Sequence, residues 1–181
     1  MATLVTLSDV KAHLRVTTTD EDTVIGLYRS AAIAWVENYT GHILAPREVV
    51  DTFGEWGDYL TLYHQPITVD DPTPTLVVEY TDDEGDFIEY EDRVIRDFKY
   101  PWTIHPPYGF SFPSLGGPAT IRVTYTAGYE AGEVPDPLNH AVLLLCGHFF
   151  VNRSAVSADS VEEVDLAVRS LCKPYRGLVM A

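Results

Sequence analysis

Hydrophobic positions recur every three or four residues at both ends of this chain and alternate with polar ones in its middle. Near the N-terminus, Leu7, Val10 and Leu14 fall on one face of a helix of about two turns. Thr6 or Ser8 can cap this helix, because a hydroxyl accepts a hydrogen bond from a free backbone N–H of the first turn. The pattern predicts a short amphipathic helix that ends near Leu14.

A longer amphipathic stretch follows and continues to about Tyr39. Thr18 and Glu21 have the spacing of a capping box, and the acidic residues 20–22 suit the positive end of a helix. Gly41 is a natural stop, since glycine readily adopts the left-handed conformation found after helices. The sequence therefore predicts two consecutive N-terminal helices.

From residue 43 onward the period changes to two, which is typical of strands. The segment Asp82–Asp86 has the composition of a hairpin turn, and 100–118 is rich in proline, glycine and aromatic residues, which predicts an ordered loop with aromatic anchors. The predicted strands are Glu48–Phe53, Tyr59–Tyr63, Thr75–Tyr80, Asp92–Asp97 and a regularly alternating strand at Ile121–Tyr125.

Two more helices are predicted to close the chain. The first begins with Asp136 as its cap and Pro137 at the first helical position, and it runs to about Asn152. It is apolar nearly all round, which predicts that a neighbouring subunit covers part of it. Residues 153–163 read as a mobile acidic loop, and a last short helix spans Val164–Leu171.

Composition excludes several classes of function. The net charge is −15, from 27 acidic and 12 basic residues, which argues against a nonspecific grip on nucleic acid or on an anionic membrane. Cys146 and Cys172 are expected to be buried free thiols. The chain shows no signal-peptide pattern, and its longest apolar run is too short to span a bilayer, so we expect a protein made in a reducing cytoplasm.

Few residues are arranged as catalysts or metal ligands. The acidic segment 82–92 lacks the glycine and glutamate positions of an EF-hand loop, so a solvated turn is the better interpretation. His140 and His148 are two helical turns apart, too far to share a metal ion directly. An alternative hypothesis remains a metal-dependent enzyme that uses the acidic hairpin with His105; otherwise we expect no cofactor, no metal and no catalysis.

Four stretches resemble one family of virus proteins. The first stretch is similar to the start of head–tail connector proteins of tailed bacteriophages. It consists of Leu7–Val16, Asp20–Asp22 and the helix that ends Glu37-Asn38-Tyr39-Thr40-Gly41. The run Val123–Tyr129, the segment Val134–Arg153 and the ending Leu166–Arg176 are similar to later parts of the same family. The middle resembles longer variants that carry a β-rich insertion.

The resemblance implies an α+β fold with a four-helix connector core and an inserted antiparallel β subdomain. The expected organisation is one connector domain over 1–181, with a helical core at 1–45 and 127–176 and the insertion at about 46–126. The implied role is a structural virion protein, not an enzyme, that binds the portal protein, forms a ring of usually twelve copies and receives the next neck or tail protein. DNA would pass through the channel without specific binding. Another neck or tail-completion protein of the virion is the alternative.

This reading assigns expected roles to three groups of residues. The portal-contact candidates are Leu171, Lys173, Pro174, Tyr175 and Arg176. The subunit-interface candidates are Leu144, His148, Phe149, Phe150 and Arg153. The candidates in the acidic loop are Asp159, Glu162 and Glu163.

Overall fold

The chain divides into a helical unit made from both ends of the sequence and a β unit made from its middle. The computed structural model describes residues 3–67, 76–96, 102–116, 120–153 and 159–176. The helical unit consists of residues 1–45 and 129–181, and the β unit consists of residues 46–128. Four helices and antiparallel sheets make the chain α+β, as the sequence predicted.

Four α-helices build the helical unit. They are α1 (Leu7–Leu14), α2 (Asp22–Thr40), α3 (Asp136–Val151) and α4 (Asp159–Cys172), and a 3₁₀ turn at Lys173–Tyr175 continues α4. Thr6 caps α1 in a full capping box with Asp9. Gly41 ends α2 with φ 75°, and its N–H donates to the carbonyl of Glu37.

A single hydrophobic core joins these helices, because each contributes its apolar face. The side chain of Asn139 is a buried polar group in this unit, as is that of Thr40. Asn139 lies on α3, and its Oδ1 accepts from the N–H of Val5 at 3.2 Å while its Nδ2 donates to the carbonyl of Thr3 at 3.1 Å. The core residues below one tenth exposure are Val5, Val10, Ile25, Ala32, Val36, Leu44, Val134, Leu138, Ala141, Val142, Leu145, Cys146, Val168 and Cys172.

Seven strands form two antiparallel sheets in the described part of the β unit. The four-stranded sheet has the order β1-β7-β3-β4, and the three-stranded sheet has the order β2-β6-β5. The strands are β1 (Arg47–Phe53), β2 (Leu60–Thr61), β3 (Leu76–Thr81), β4 (Phe87–Glu89), β5 (Val94–Arg96), β6 (Thr103–His105) and β7 (Ile121–Ala127).

A buried carboxylate stabilises the four-stranded sheet. Asp51 of β1 is only 4% exposed, yet its Oδ2 accepts from the hydroxyl of Tyr125 at 2.6 Å and from the N–H of Tyr63 at 2.9 Å. Its Oδ1 lies 3.0 Å from Nδ1 of His64. These partners compensate for the loss of solvent around the charge, which would otherwise make its burial costly.

Several local predictions were wrong, and each has a physical reason. Glu21 is the N-cap residue of α2 without a side-chain capping bond, so Thr18 and Glu21 form no capping box; the Glu21 carboxylate pairs with Arg153 instead. At α3 the N-cap is Pro135, and Asp136 is the first helical residue rather than the cap. The helix after the acidic segment begins at Asp159, not at Val164.

The predicted loop over 100–118 contains a short strand, β6, which pairs with both β2 and β5. Its three residues are too few to show a period in the sequence. The predicted hairpin around Asp82–Asp86 is confirmed, since β3 and β4 pair on either side of it. Parts of the predicted strands and loops, at residues 68–75, 97–101, 117–119 and 154–158, lie outside the described residues.

Candidate assembly surfaces

The C-terminal end of the helical unit carries a cluster of aromatic and basic side chains. Trp35 and Tyr39, one turn apart on α2, stack with ring centroids 5.1 Å apart and planes 9° from parallel. The guanidinium carbon of Arg176 lies 5.3 Å from the centre of the Tyr39 ring, and that of Arg169 lies 6.0 Å from it. Tyr39 therefore holds two cations by cation–π interaction.

A second aromatic contact anchors the 3₁₀ turn beside this cluster. The ring of Tyr175 meets His42 edge-on at 6.1 Å, and His42 stacks on Tyr129 at 5.7 Å. Nδ1 of His42 lies 2.6 Å from the hydroxyl of Tyr129. Burial lowers the pKa of His42 to about 4, because a charged imidazolium would lose its solvent here. At neutral pH the ring is uncharged and serves as a packing surface.

The five portal-contact candidates consequently differ in exposure. Lys173, Pro174 and Arg176 are exposed, whereas Leu171 and Tyr175 are half-buried against the helical core. The exposed three are accessible to a partner, and the other two hold the segment in place. The sequence identified this segment, but it gave no sign that Tyr39 and His42 position it.

The subunit-interface candidates lie at the end of α3 that adjoins the start of α2. Phe149 contacts Tyr28 of α2 with ring centroids 6.2 Å apart, and Arg153 pairs with Glu21 at 2.5 Å. The guanidinium of Arg153 also covers Phe150 at 4.6 Å. These contacts join α3 to α2 within the chain.

Two further candidates are also held by contacts inside the chain. Nδ1 of His148 lies 3.1 Å from Nδ2 of Asn152, and Leu144 packs half-buried against the core. Of the five subunit-interface candidates only Arg153 is exposed, and the other four are half-buried.

The more exposed apolar side chains of the helical unit are ones that the sequence analysis missed. Leu27 of α2 is 65% exposed, Val151 at the end of α3 is 78% exposed and Leu166 of α4 is 73% exposed. Leu27 and Val151 belong to the same end of the unit as the contacts between Glu21 and Arg153 and between Tyr28 and Phe149. At 100° per residue Leu27 falls on the side of α2 opposite the buried Ile25, Ala32 and Val36, so the helical period of the sequence could have marked it as exposed.

The acidic candidates Asp159, Glu162 and Glu163 lie in the first turns of α4 rather than in a loop. The prediction of a loop was wrong because acidic residues are favoured near a helix N-terminus, where they interact with the helix dipole. Their side chains lie outside the described residues.

In the β unit, an aromatic cluster supports an exposed turn. Trp56 stacks on Phe112 at 4.4 Å with planes 5° apart, and Tyr90 contacts both rings at 5.9 and 5.8 Å. The adjoining turn closes with the N–H of Phe110 donating to the carbonyl of Pro107, and Gly109 has φ +83° as this turn requires.

Two aromatic side chains project from this turn. Tyr108 is fully exposed and Phe110 is largely so. The sequence predicted an ordered loop with aromatic anchors here, and among residues 102–116 Phe112 packs as an anchor on Trp56.

The acidic hairpin is built as a turn. Oδ1 of Asp82 accepts from the N–H groups of Glu84 and Asp86, at 3.0 and 2.8 Å. Among the described residues, no group of three or more His, Cys, Asp or Glu side chains is arranged to hold a metal ion. The enzyme hypothesis also involved His105. Its Nε2 lies 2.9 Å from the hydroxyl of Thr103, and its ring packs on that of Tyr59. Nor is any described helix long and apolar enough to cross a membrane.

Both thiols lie in the helical core. Burial raises the pKa of Cys146 and of Cys172 to about 11, so each is protonated at neutral pH. Neither is paired in a disulfide.

The whole chain has the fold of virus-like neck proteins. It aligns with a chain from the neck of an empty gene transfer agent (GTA) particle, computed with C6 symmetry, at a TM-score of 0.79, with 23% identity, covering 98% of this chain and 91% of the other. A chain from the neck of a native GTA particle, computed with C12 symmetry, aligns at 0.74, with 22% identity over 100% and 97% of the two chains. A chain from the virion of a native GTA particle aligns at 0.77, with 23% identity over 98% and 91%.

Residues 4–71 match the family model of the phage gp6-like head–tail connector protein. No curated protein matches the chain. The family model and the shared fold confirm the resemblance to head–tail connectors that the sequence suggested.

Proposed function

We propose that this protein is a structural component of a virion neck, where it joins the head to the tail and extends the DNA channel. The observation that carries this proposal is the agreement of two comparisons. Residues 4–71 match a head–tail connector family, and the fold of the entire chain is similar to that of GTA neck proteins.

Several copies form a ring around the channel in this proposal. The related neck structures were computed with six-fold and twelve-fold symmetry, which supports a ring whose symmetry follows the portal, twelve copies being the expectation. A heterologous contact between copies closes into such a ring when the rotation that relates neighbouring copies is a whole fraction of a full turn. We place this contact at Leu144, His148, Phe149, Phe150 and Arg153, extended by the exposed Leu27 and Val151.

The charge of the chain suits a channel wall. With a net charge of −15, a ring of copies repels duplex DNA, and salt confines that repulsion to about 8–10 Å from each carboxylate. Only carboxylates that face the lumen therefore act on the duplex, and DNA passes without specific binding. The portal protein contacts the segment Leu171–Arg176, and the next neck or tail protein binds the opposite end of the ring.

Imaging of purified particles tests the function directly. We expect cryo-electron microscopy of particles from a producing strain to show this fold between the portal and the tail. Density for the chain at the far end of the tail would instead identify a tail-completion protein, and its absence from purified particles would refute the proposal.

A pair of matched variants tests the subunit contact. Leu27→Glu adds a charge to an exposed apolar position, and His140→Glu adds the same charge to an exposed position in the first half of α3. We expect native mass spectrometry of the chain mixed with portal rings to show full rings for the wild type and His140→Glu, and incomplete rings for Leu27→Glu. Equal ring formation by both variants would remove Leu27 from the interface.

A further inference from the structure

An open groove lies beside the exposed aromatic turn of the β unit. Its volume is about 320 Å³. Two aromatic rings, two proline rings, one hydroxyl and one carboxylate line it, and they belong to Tyr90, Asp92, Pro107, Phe110, Ser111 and Pro113. Concave sites with mostly apolar walls and a few polar groups are the usual form of a binding site, because the walls supply affinity and the polar groups supply orientation.

The floor of the groove is fixed by the fold. Tyr90 packs on the stacked pair Trp56 and Phe112, and its N–H donates to the carbonyl of Val78 at 2.7 Å. The guanidinium of Arg93 donates to the carbonyl of Tyr90 at 2.8 Å. A partner therefore meets a groove that is already ordered, so little conformational entropy is lost there on binding.

One wall of the groove is an apolar ring that the fold leaves in solvent. Phe110 is 73% exposed, although a hydrogen bond from its N–H to the carbonyl of Pro107, at 3.0 Å, fixes its backbone. Tyr108 on the same turn is fully exposed but does not line the groove. A large aromatic side chain held in solvent at a fixed position is typical of an interaction surface, because covering it gains hydrophobic free energy.

The polar groups of the groove favour an occupant that has a positive charge and accepts hydrogen bonds. Asp92 is exposed, and the cation next to it, Arg93, is engaged with the carbonyl of Tyr90 and lies 3.8 Å from Glu89. The segment 82–92 contains seven acidic residues, Asp92 among them, and no basic one. Burial, and then the charge of Asp92, raises the pKa of Tyr90, so its hydroxyl stays protonated and can donate.

We propose that this groove binds an extended, proline-rich segment of a partner protein, and that the segment carries an arginine or lysine. A polyproline II segment has no internal backbone hydrogen bonds, so its carbonyls are free to accept, and its rings pack against aromatic and proline walls. Its cation lies between the Asp92 carboxylate and the rings of Tyr90 and Phe110, where an ion pair and a cation–π interaction act together. The inference goes beyond the proposed function and does not depend on it.

Other occupants suit the groove less well. A second copy brings a net charge of −15 towards a surface that is already rich in carboxylates, and DNA phosphates are repelled in the same way. A purely apolar segment would take solvent away from the Asp92 carboxylate without giving it a partner, which is costly. The charge of the groove therefore selects a cationic segment.

The experiment measures the fluorescence anisotropy of three short labelled peptides mixed with the full chain. The first peptide has the repeat Pro-Pro-Arg-Pro, the second has glutamate in place of arginine, and the third has alanine in place of proline. We expect the wild-type chain to bind the first peptide about tenfold or more tightly than either of the others. Added salt should weaken this binding, because it screens the attraction between the arginine and the acidic surface.

Two pairs of variants locate the contact. Phe110→Ala removes the exposed ring that lines the groove, and Tyr108→Ala removes the exposed ring that does not. Asp92→Asn and Asp83→Asn each remove one exposed carboxylate, and only the first of these lies in the groove. We expect Phe110→Ala and Asp92→Asn to bind the arginine peptide about tenfold more weakly, while both controls bind it like the wild type. Circular dichroism checks that each variant is folded.

Several results would overturn the inference. They are equal binding of the arginine and glutamate peptides, equal binding of the proline and alanine peptides, no binding of the first peptide by the wild type, or equal affinities of Phe110→Ala and Tyr108→Ala. A loss of self-association in Phe110→Ala, without any peptide binding by the wild type, would identify a second copy as the occupant instead. The peptide comparison on the wild-type chain decides even where a variant does not fold. Imaging of the neck decides the proposed function separately.

Discussion

The burial of His42 makes the stability of the helical unit depend on pH. Its pKa lies at about 4 in the folded chain, against 6.5 for an ordinary histidine, because its ring is enclosed by Tyr129 and Tyr175. Below pH 6.5 the unfolded chain takes up a proton that the folded chain refuses, so stability falls as the pH falls. A pKa of about 4 in place of 6.5 corresponds to about 3 kcal/mol of stability in full, of which about 2 kcal/mol is lost between pH 8 and pH 5.

The change that tests this is His42→Gln, which removes the titrating ring. Urea unfolding at pH 8 and pH 5, followed by circular dichroism at 222 nm, reports on the helices. We expect the wild type to lose about 2 kcal/mol more than the variant over this range. His140→Gln, which removes an exposed histidine from the same unit, controls for the loss of a histidine as such. Parallel pH profiles for the wild type and His42→Gln would refute the assignment.

Three other predictions follow from buried polar groups and thiols. Tyr125→Phe removes one hydrogen-bond partner of Asp51 and is expected to destabilise the β unit by about 1–3 kcal/mol. The double variant with Asp51→Ala is expected to lose less stability than the sum of the two single variants, as measured by denaturant unfolding in a double-mutant cycle. Cys146 and Cys172 should react with a thiol-specific chromogenic reagent only after urea is added; fast labelling of the native chain would contradict their burial. Asn139→Ala should lower the unfolding free energy of the helical unit by about 1–3 kcal/mol, and hydrogen exchange should speed up at Val5, whose N–H loses its acceptor.

The sequence predicted the helices and the longer strands because their alternation of apolar and polar residues extends over seven or more residues. α2 and β7 each repeat an apolar pattern often enough for the period to be recognised, and α3 was recognised from its Asp136-Pro137 start and its length. The three-residue strand β6 does not, and it forms only because β2 and β5 supply partners from distant parts of the chain. Caps were less predictable, since Glu21 fits a capping box by spacing but its carboxylate pairs with Arg153, 132 positions away.

The candidate surfaces were predicted in part. The basic residues of the C-terminal segment are visible in the sequence, but the rings beneath them are not, because Tyr39 and His42 are separated from that segment by more than 120 residues. Leu27 and Val151 resemble core residues by apolar character alone. Each lies on the side of its helix opposite the buried residues, so the helical period of the sequence does mark it as exposed.

The construction of the helical unit from both ends of the sequence has a consequence for synthesis on the ribosome. α1 and α2 are translated first, but the faces that cover them belong to α3 and α4, which are translated after the β unit. The described strands of the intervening β unit are all translated before α3 and α4. The β unit can therefore fold while α1 and α2 still lack the helices that cover them. The synthesis of α3 and α4, rather than the emergence of α1 and α2, therefore sets the moment at which the helical core closes.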